Sequence, residues 1–198
     1  MKTTKWAVVG PGFIAGRFAQ GMLEVPGAER TAVVSRSEEN GRAYAEKYGF
    51  ASSYTDFEKM LRESKPDVVY IATPNDTHMD YVSAALNAGV AVLCEKPMAL
   101  NEEEARAMQA AAEKAGKLLM IGFVRRFGND CRNTEDFLRS GYFGELYYAK
   151  AVYQRRSGNP GGWFGDKSRS GGGPLIDLGV HVIDLVRYLM GNPQPVSV

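Results

Sequence analysis

Short, nearly continuous runs of Val, Ile, Leu and Ala alternate along the first part of the chain with stretches whose apolar positions recur at helical spacing. KWAVVG, ERTAVVS, DVVYIAT, VAVLCEKP and KLLMIGFV read as strands. Between them AGRFAQGMLEV, SEENGRAYAEKYG, SYTDFEKMLRES, NDTHMDYVSAALNAG and NEEEARAMQAAAEKAG read as helices. The last of these has an acidic first turn and a glycine stop, as the helix dipole and C-cap favour. Strands without polar alternation, each followed by a helix, predict a parallel sheet covered on both faces. This is an α/β, doubly wound arrangement.

The rhythm changes after about residue 124. NDCRNTEDFLRSG reads as a helix, and GELYYAKAVYQRR alternates as an antiparallel strand does. A glycine-rich loop, SGNPGGWFGDKSRSGGG, leads into the apolar helical pattern PLIDLGVHVIDLVRYLM, and PQPVSV has the look of a strand beginning. The pattern predicts a first domain over 1–124. Residues 125–198 then read as the first part of a second domain.

Composition narrows the function classes. The 198 residues are 44% hydrophobic and 24% charged, with a net charge of +1. No electrostatic signal points to nucleic acid or to a membrane surface. No apolar run reaches the roughly 18 residues of a transmembrane helix. The start MKTTKWAVVGPGF lacks the long apolar core of a signal peptide. Cys94 and Cys131 share no metal or redox spacing, which fits a reducing, cytoplasmic setting.

The first strand runs directly into GPGFIAG. Gly10, Gly12 and Ala15 have the G-x-G-x-x-A spacing of a dinucleotide-binding turn, with Phe13 and Ile14 inside it. Gly10 permits the tight turn, Gly12 lets the backbone approach a pyrophosphate, and the small Ala15 lets the helix pack close to the sheet. The second strand ends in Ser35, Arg36 and Ser37 rather than in the acid that usually binds an NAD ribose. A hydroxyl and a guanidinium suit a 2′-phosphate, so NADP(H) is the expected preference, with NAD possible. Arg36 also reads as an ordinary solvated turn residue.

Two further segments fall at strand ends, where doubly wound sheets bind ligands. Thr73, Pro74 and Asn75 of ATPNDTH either line the cofactor or simply form a turn. His78 is either a cap-region surface residue or a functional one. Lys96, between Glu95 and Pro97, is either a salt-bridging surface lysine or a group that hydrogen-bonds a substrate hydroxyl and assists its deprotonation. In the second domain Asp177 and His181 stand four residues apart on one helical face. Imidazole titrates near working pH and suits a general base. A metal pair is the alternative, but no third ligand is evident and none is expected. Asp184 reads as a substrate contact or as a partner of Arg187. Arg126 reads as a cofactor-side arginine or a junction salt bridge, and Trp163 as pocket or packing.

Taken together, GPGFIAG, ATPNDTH, CEKP, GFVRRF and GGGPLIDLGVHVIDL resemble the Gfo/Idh/MocA family of oxidoreductases, in order and over the whole chain. The resemblance implies a Rossmann domain followed by a domain with a large, mostly antiparallel sheet. It implies hydride transfer between a nicotinamide cofactor and a hydroxyl or carbonyl of a sugar, polyol or related small molecule. It further implies that Lys96, Asp177 and His181 are catalytic, with His181 as the acid/base. Gly10, Gly12, Phe13, Ile14, Ala15, Ser35, Arg36, Thr73, Pro74, Asn75, His78, Glu95, Lys96 and Arg126 would bind cofactor. The proline after the lysine, here Pro97, is often cis in the family. Members are longer than this chain, and the sheet expected beyond residue 198 commonly forms a homo-oligomer interface. Two alternatives accompany this reading: a glycoside-cleaving enzyme that oxidises its substrate only transiently, and a cofactor-binding module without catalysis.

Overall fold

The structure, a computed structural model, describes residues 3–156, 158 and 160–197. The N-terminal reading at residues 1 and 2, the loop positions 157 and 159, and the strand expected to end at 198 fall at those points outside the described residues. The chain divides into two units, Met1–Gly122 and Phe123–Val198.

The first unit is built on six strands: β1 (Thr4–Val9), β2 (Ala28–Val34), β3 (Ser52–Tyr54), β4 (Val68–Ile71), β5 (Ala91–Cys94) and β6 (Leu119–Ile121). They form one sheet in the order β3-β2-β1-β4-β5-β6, and every pair is parallel. Helices α1 (Phe13–Met22), α2 (Glu38–Tyr48), α3 (Phe57–Ser64), α4 (His78–Asn87) and α5 (Glu102–Ala115) connect them. Successive strand residues face opposite sides. Ala7, Val9, Val34, Val69, Ile71 and Val92 therefore join one buried cluster, with Met60, Leu86 and Met108 from the helices. Val8, Val33 and Tyr70 join the other, with Ala15, Ala19 and Tyr44. Burial on both faces is why the strands lack polar alternation.

Helix boundaries follow local chemistry. Ser37, Asp56 and Asn101 cap α2, α3 and α5 by accepting backbone N–H groups, and Gly49 and Gly116 close α2 and α5 in the left-handed conformation. One expected element differs. SYTDFEKMLRES contains the end of strand β3 before α3 begins. Ser52–Tyr54 is a short polar edge strand without an apolar signal, held to β2 by the Tyr54 carbonyl and the Ser52 hydroxyl.

The second unit contains α6 (Asn129–Arg139), α7 (Lys167–Ser170) and α8 (Val180–Leu189). Residues 144–156, expected as a strand, are assigned to none, and neither are 193–197. A strand exists only through its ladder, and among the described residues of this unit no strand is available to pair. Tyr147 and Val152 consequently lie exposed.

Candidate active site

In the first unit the strand order reverses between β1 and β4, so their carboxyl ends open a crevice at the topological switch point. Gly10 occupies the end of β1 with φ +83°, and a Cβ there would lie 2.8 Å from both the Ala72 carbonyl oxygen and Thr73 Cγ2. Only glycine fits this close approach of two strand ends. Gly12, the residue before α1, has ordinary extended geometry (φ −95°), and a Cβ there would meet nothing within 4 Å. Neither backbone conformation nor packing within the chain requires Gly12 to be glycine. No side chain caps α1, and its first turn holds no acid. Open space in front of N–H groups at the positive end of a helix dipole fits a diphosphate. Phe13 and Ile14 are exposed beside this space, while Ala15 is fully buried beneath it. The Tyr44 hydroxyl donates to the Ala15 carbonyl at 2.6 Å and ties α2 to the first turn of α1.

At the end of β2, Ser35 is buried and its hydroxyl accepts from the Ser37 N–H at 3.3 Å. Arg36 is exposed. After β4, Asn75 is buried in a 3₁₀ turn (Asn75–Thr77). The Thr77 hydroxyl lies 2.7 Å from the Pro74 carbonyl oxygen and 2.8 Å from the Thr73 hydroxyl, fixing this turn. Glu95 and Lys96 are half-buried after β5, and the Lys96–Pro97 peptide is cis.

His78 is not the surface residue that one sequence reading allowed. It is fully buried, with Nδ1 2.9 Å from the Pro97 carbonyl oxygen and Nε2 3.0 Å from that of Thr73. Burial holds its pKa below the ordinary imidazole range, although the neighbouring carbonyls and Glu95 pull the other way. Sequence reasoning missed Tyr70. It reads as a β-former inside a strand, yet its buried hydroxyl donates to Glu95 Oε1 at 2.6 Å. Burial and the adjacent carboxylate push the phenol far above its usual pKa, so it stays a donor.

In the second unit, Asp177 lies in a π-helical turn (Leu175–Gly179), and His181 follows in α8; both are half-buried. The Val180 N–H bonds the Leu175 carbonyl across five residues, so this turn is wider than the uniform α-helix expected from sequence. A Cβ on Gly179 would come within 2.6 Å of Leu175 Cδ1, and its absence leaves room for the leucine. Arg126 pairs in a fork with Asp184: Nε to Oδ2 is 2.8 Å, and a second guanidinium nitrogen contacts Oδ1. The guanidinium also lies 4.9 Å from the Tyr188 ring centroid. Arg126, not Arg187, is thus the partner of Asp184. Trp163 stacks on Phe164. Cys94 and Cys131 are free and buried.

Among the described residues no helix is long and apolar enough to cross a membrane, and no group of three His, Cys, Asp or Glu residues could hold a metal.

A six-stranded parallel sheet of this order, with a glycine turn at its switch point, defines the dinucleotide-binding class of α/β protein. Residues 4–123 match the Gfo/Idh/MocA oxidoreductase family, NAD-binding Rossmann fold, and residues 131–198 match the family's C-terminal domain. The chain belongs to this family. It is 40% identical over 194 residues to D-glucoside 3-dehydrogenase of Escherichia coli K12, covering 97% of this chain and 55% of that protein. It is 33% identical to 1,5-anhydro-D-fructose reductase of Ensifer adhaerens, covering 95% and 57%. The structure of levoglucosan dehydrogenase with NADH and levoglucosan superposes with a TM-score of 0.86 at 27% identity, over 96% of this chain and 55% of that one. The chain thus spans about half the length of the curated relatives it matches.

Proposed function

We propose that the protein is an NAD(P)(H)-dependent oxidoreductase acting on a hydroxyl or carbonyl of a sugar, polyol or related small molecule. The observation that carries this reading is Gly12: a glycine that neither conformation nor internal packing demands, at an uncapped helix N-terminus on the switch point of the sheet. Relatives that act on a D-glucoside and on an anhydro-sugar support a pyranose-like substrate.

When bound, the nicotinamide supplies the hydride acceptor or donor. The N–H groups after Gly12 hold the diphosphate, with Gly10, Phe13, Ile14 and Ala15 shaping that turn. Thr73, Pro74, Asn75 and Glu95 line the remainder. In oxidation His181 accepts the substrate hydroxyl proton, Asp177 orients the imidazole or the substrate, and the Lys96 ammonium stabilises the developing alkoxide. NADP(H) is preferred, because Ser35 and Arg36 place a hydroxyl and an exposed guanidinium, rather than an acid, at the end of β2. Arg126, held by Asp184, acts by fixing its helix-turn segment.

Turnover of a glucoside and polyol panel, followed by cofactor absorbance, tests the assignment. His181→Ala and Lys96→Met should each lower kcat by at least about 100-fold. Arg36→Ala should raise KM for NADP about tenfold and leave KM for NAD nearly unchanged. Full activity in His181→Ala would remove the base assignment. A wild-type preference for NAD would remove the cofactor preference.

A further inference from the structure

Tyr70 stands on β4 between Val8 of β1 and Leu93 of β5 in the register of the sheet. Its ring stacks on Phe18 of α1 with centroids 3.9 Å apart, and the residue is 2% exposed. Phenylalanine would satisfy this packing. A buried hydroxyl forfeits its hydration and needs a partner. That partner is Glu95, whose Oε1 accepts from the phenol at 2.6 Å. Glu95 follows Leu93 by two residues and so projects to the face of the sheet that carries Tyr70. Its backbone N–H bonds the Ile71 carbonyl at 2.9 Å, one step past the end of β5. Main chain and side chain of Glu95 are thus each tied to β4. A Cβ on Gly122, just after β6, would lie 3.3 Å from the same Oε1 and 3.4 Å from the Cys94 carbonyl oxygen. The carboxylate therefore sits between a phenol and a glycine at the carboxyl edge of the sheet, one strand from the crevice between β1 and β4. The hydride chemistry makes no use of the phenol, which stays protonated and buried.

We infer that Tyr70 is a positioning residue: by donating to Oε1 it fixes the plane of the Glu95 carboxylate, so that Oε2 accepts a hydroxyl of the ribose next to the nicotinamide. The inference rests on the proposal that a nicotinamide dinucleotide occupies the crevice, and it adds a residue that never meets the cofactor. An acceptor held in place binds a hydroxyl without the entropic cost of ordering a free glutamate side chain.

Calorimetric titration of the full chain with ADP, ADP-ribose and NADH provides the test, because ADP lacks the second ribose. Wild type should bind all three. Tyr70→Phe keeps the ring and its place against Phe18. It should weaken ADP-ribose and NADH about fivefold, the worth of one hydrogen bond, and leave ADP within about twofold. Glu95→Ala should weaken ADP-ribose and NADH at least as much, and adding Tyr70→Phe to it should cost nothing further. A merely structural tyrosine would lower Tm in Tyr70→Phe and either leave all three affinities as in wild type or weaken all three alike. Both results overturn the inference. A full further loss in the double variant also overturns it, since Tyr70 would then act other than through Glu95. If Tyr70→Phe does not fold, Gly122→Ala presses on Oε1 from the β6 side with Tyr70 intact. It should show the same selective loss, and wild-type affinity for ADP-ribose in that variant overturns the inference. Failure of wild type to bind any of the three removes the cofactor proposal and the inference together. Binding of all three without the selective loss removes the inference alone.

Discussion

A Cβ on Gly10 would strike backbone at 2.8 Å from a left-handed conformation. Gly10→Ala is therefore expected to destabilise the chain by about 2 kcal/mol or more, measured by urea unfolding. Gly12 carries no such constraint, so Gly12→Val should cost less than about 1 kcal/mol while abolishing cofactor binding. His78 has a signature of its own. Its pKa is lowered chiefly by burial, against the carbonyls of Pro97, Thr73 and Met98 and the Glu95 carboxylate. As pH falls below about 6.5 the unfolded chain takes up a proton that the folded chain resists, and stability falls. Above that pH the residue contributes no slope. His78→Gln should flatten the loss of stability between pH 7 and 5, and an unchanged slope would contradict the assignment.

At the scale of elements, the Arg126–Asp184 fork joins the segment Val124–Phe127 to α8. The carboxylate is nearly buried and the guanidinium about one-third exposed, at 9% and 35%. Arg126→Met should cost about 1–3 kcal/mol, because it strands a charge-assisted pair. Adding Asp184→Asn should cost less than the two single losses combined, and strict additivity would show that the pair is not coupled. Which elements could be read from sequence follows from the same physics. Strands β1, β2, β4, β5 and β6 declared themselves through unbroken apolar runs, Ala7–Val9, Ala32–Val34, Val68–Ile71, Ala91–Cys94 and Leu119–Ile121, of which the central ones are buried on both faces. Strand β3 did not, because its Ser-Ser-Tyr gains stability only from pairing with β2. Residues 144–156 show the converse: alternation signals a strand, but no ladder partner stands in the second unit among the described residues. The π-helical turn at Asp177 leaves no trace in apolar spacing, since it changes the hydrogen-bond span rather than the composition. Glycine spacing and strand ends made the Gly10–Ala15 turn and the position of Lys96 legible. The bonds of Tyr70 and His78 were not, because each joins residues that only the sheet brings together.

Over the whole molecule, both buried clusters belong to the first unit, and their members run from Trp6 to Ile121. The dinucleotide site accordingly rests on a complete two-sided core, with β1 and β4 at its centre and the glycine turn at their ends. In the second unit Asp177 and His181 lie on the π-helical turn and α8, and the Arg126–Asp184 pair secures α8. In the function proposed above, the space beside Gly12 receives the diphosphate of a nicotinamide dinucleotide. Titration of NADPH and NADH against the wild-type chain and Gly12→Val, read by fluorescence, tests it most directly. Wild type should bind saturably, more tightly to NADPH, and Gly12→Val should lose at least about 30-fold in affinity with Tm nearly unchanged. Equal affinity in the two proteins, or no binding to wild type, would contradict it.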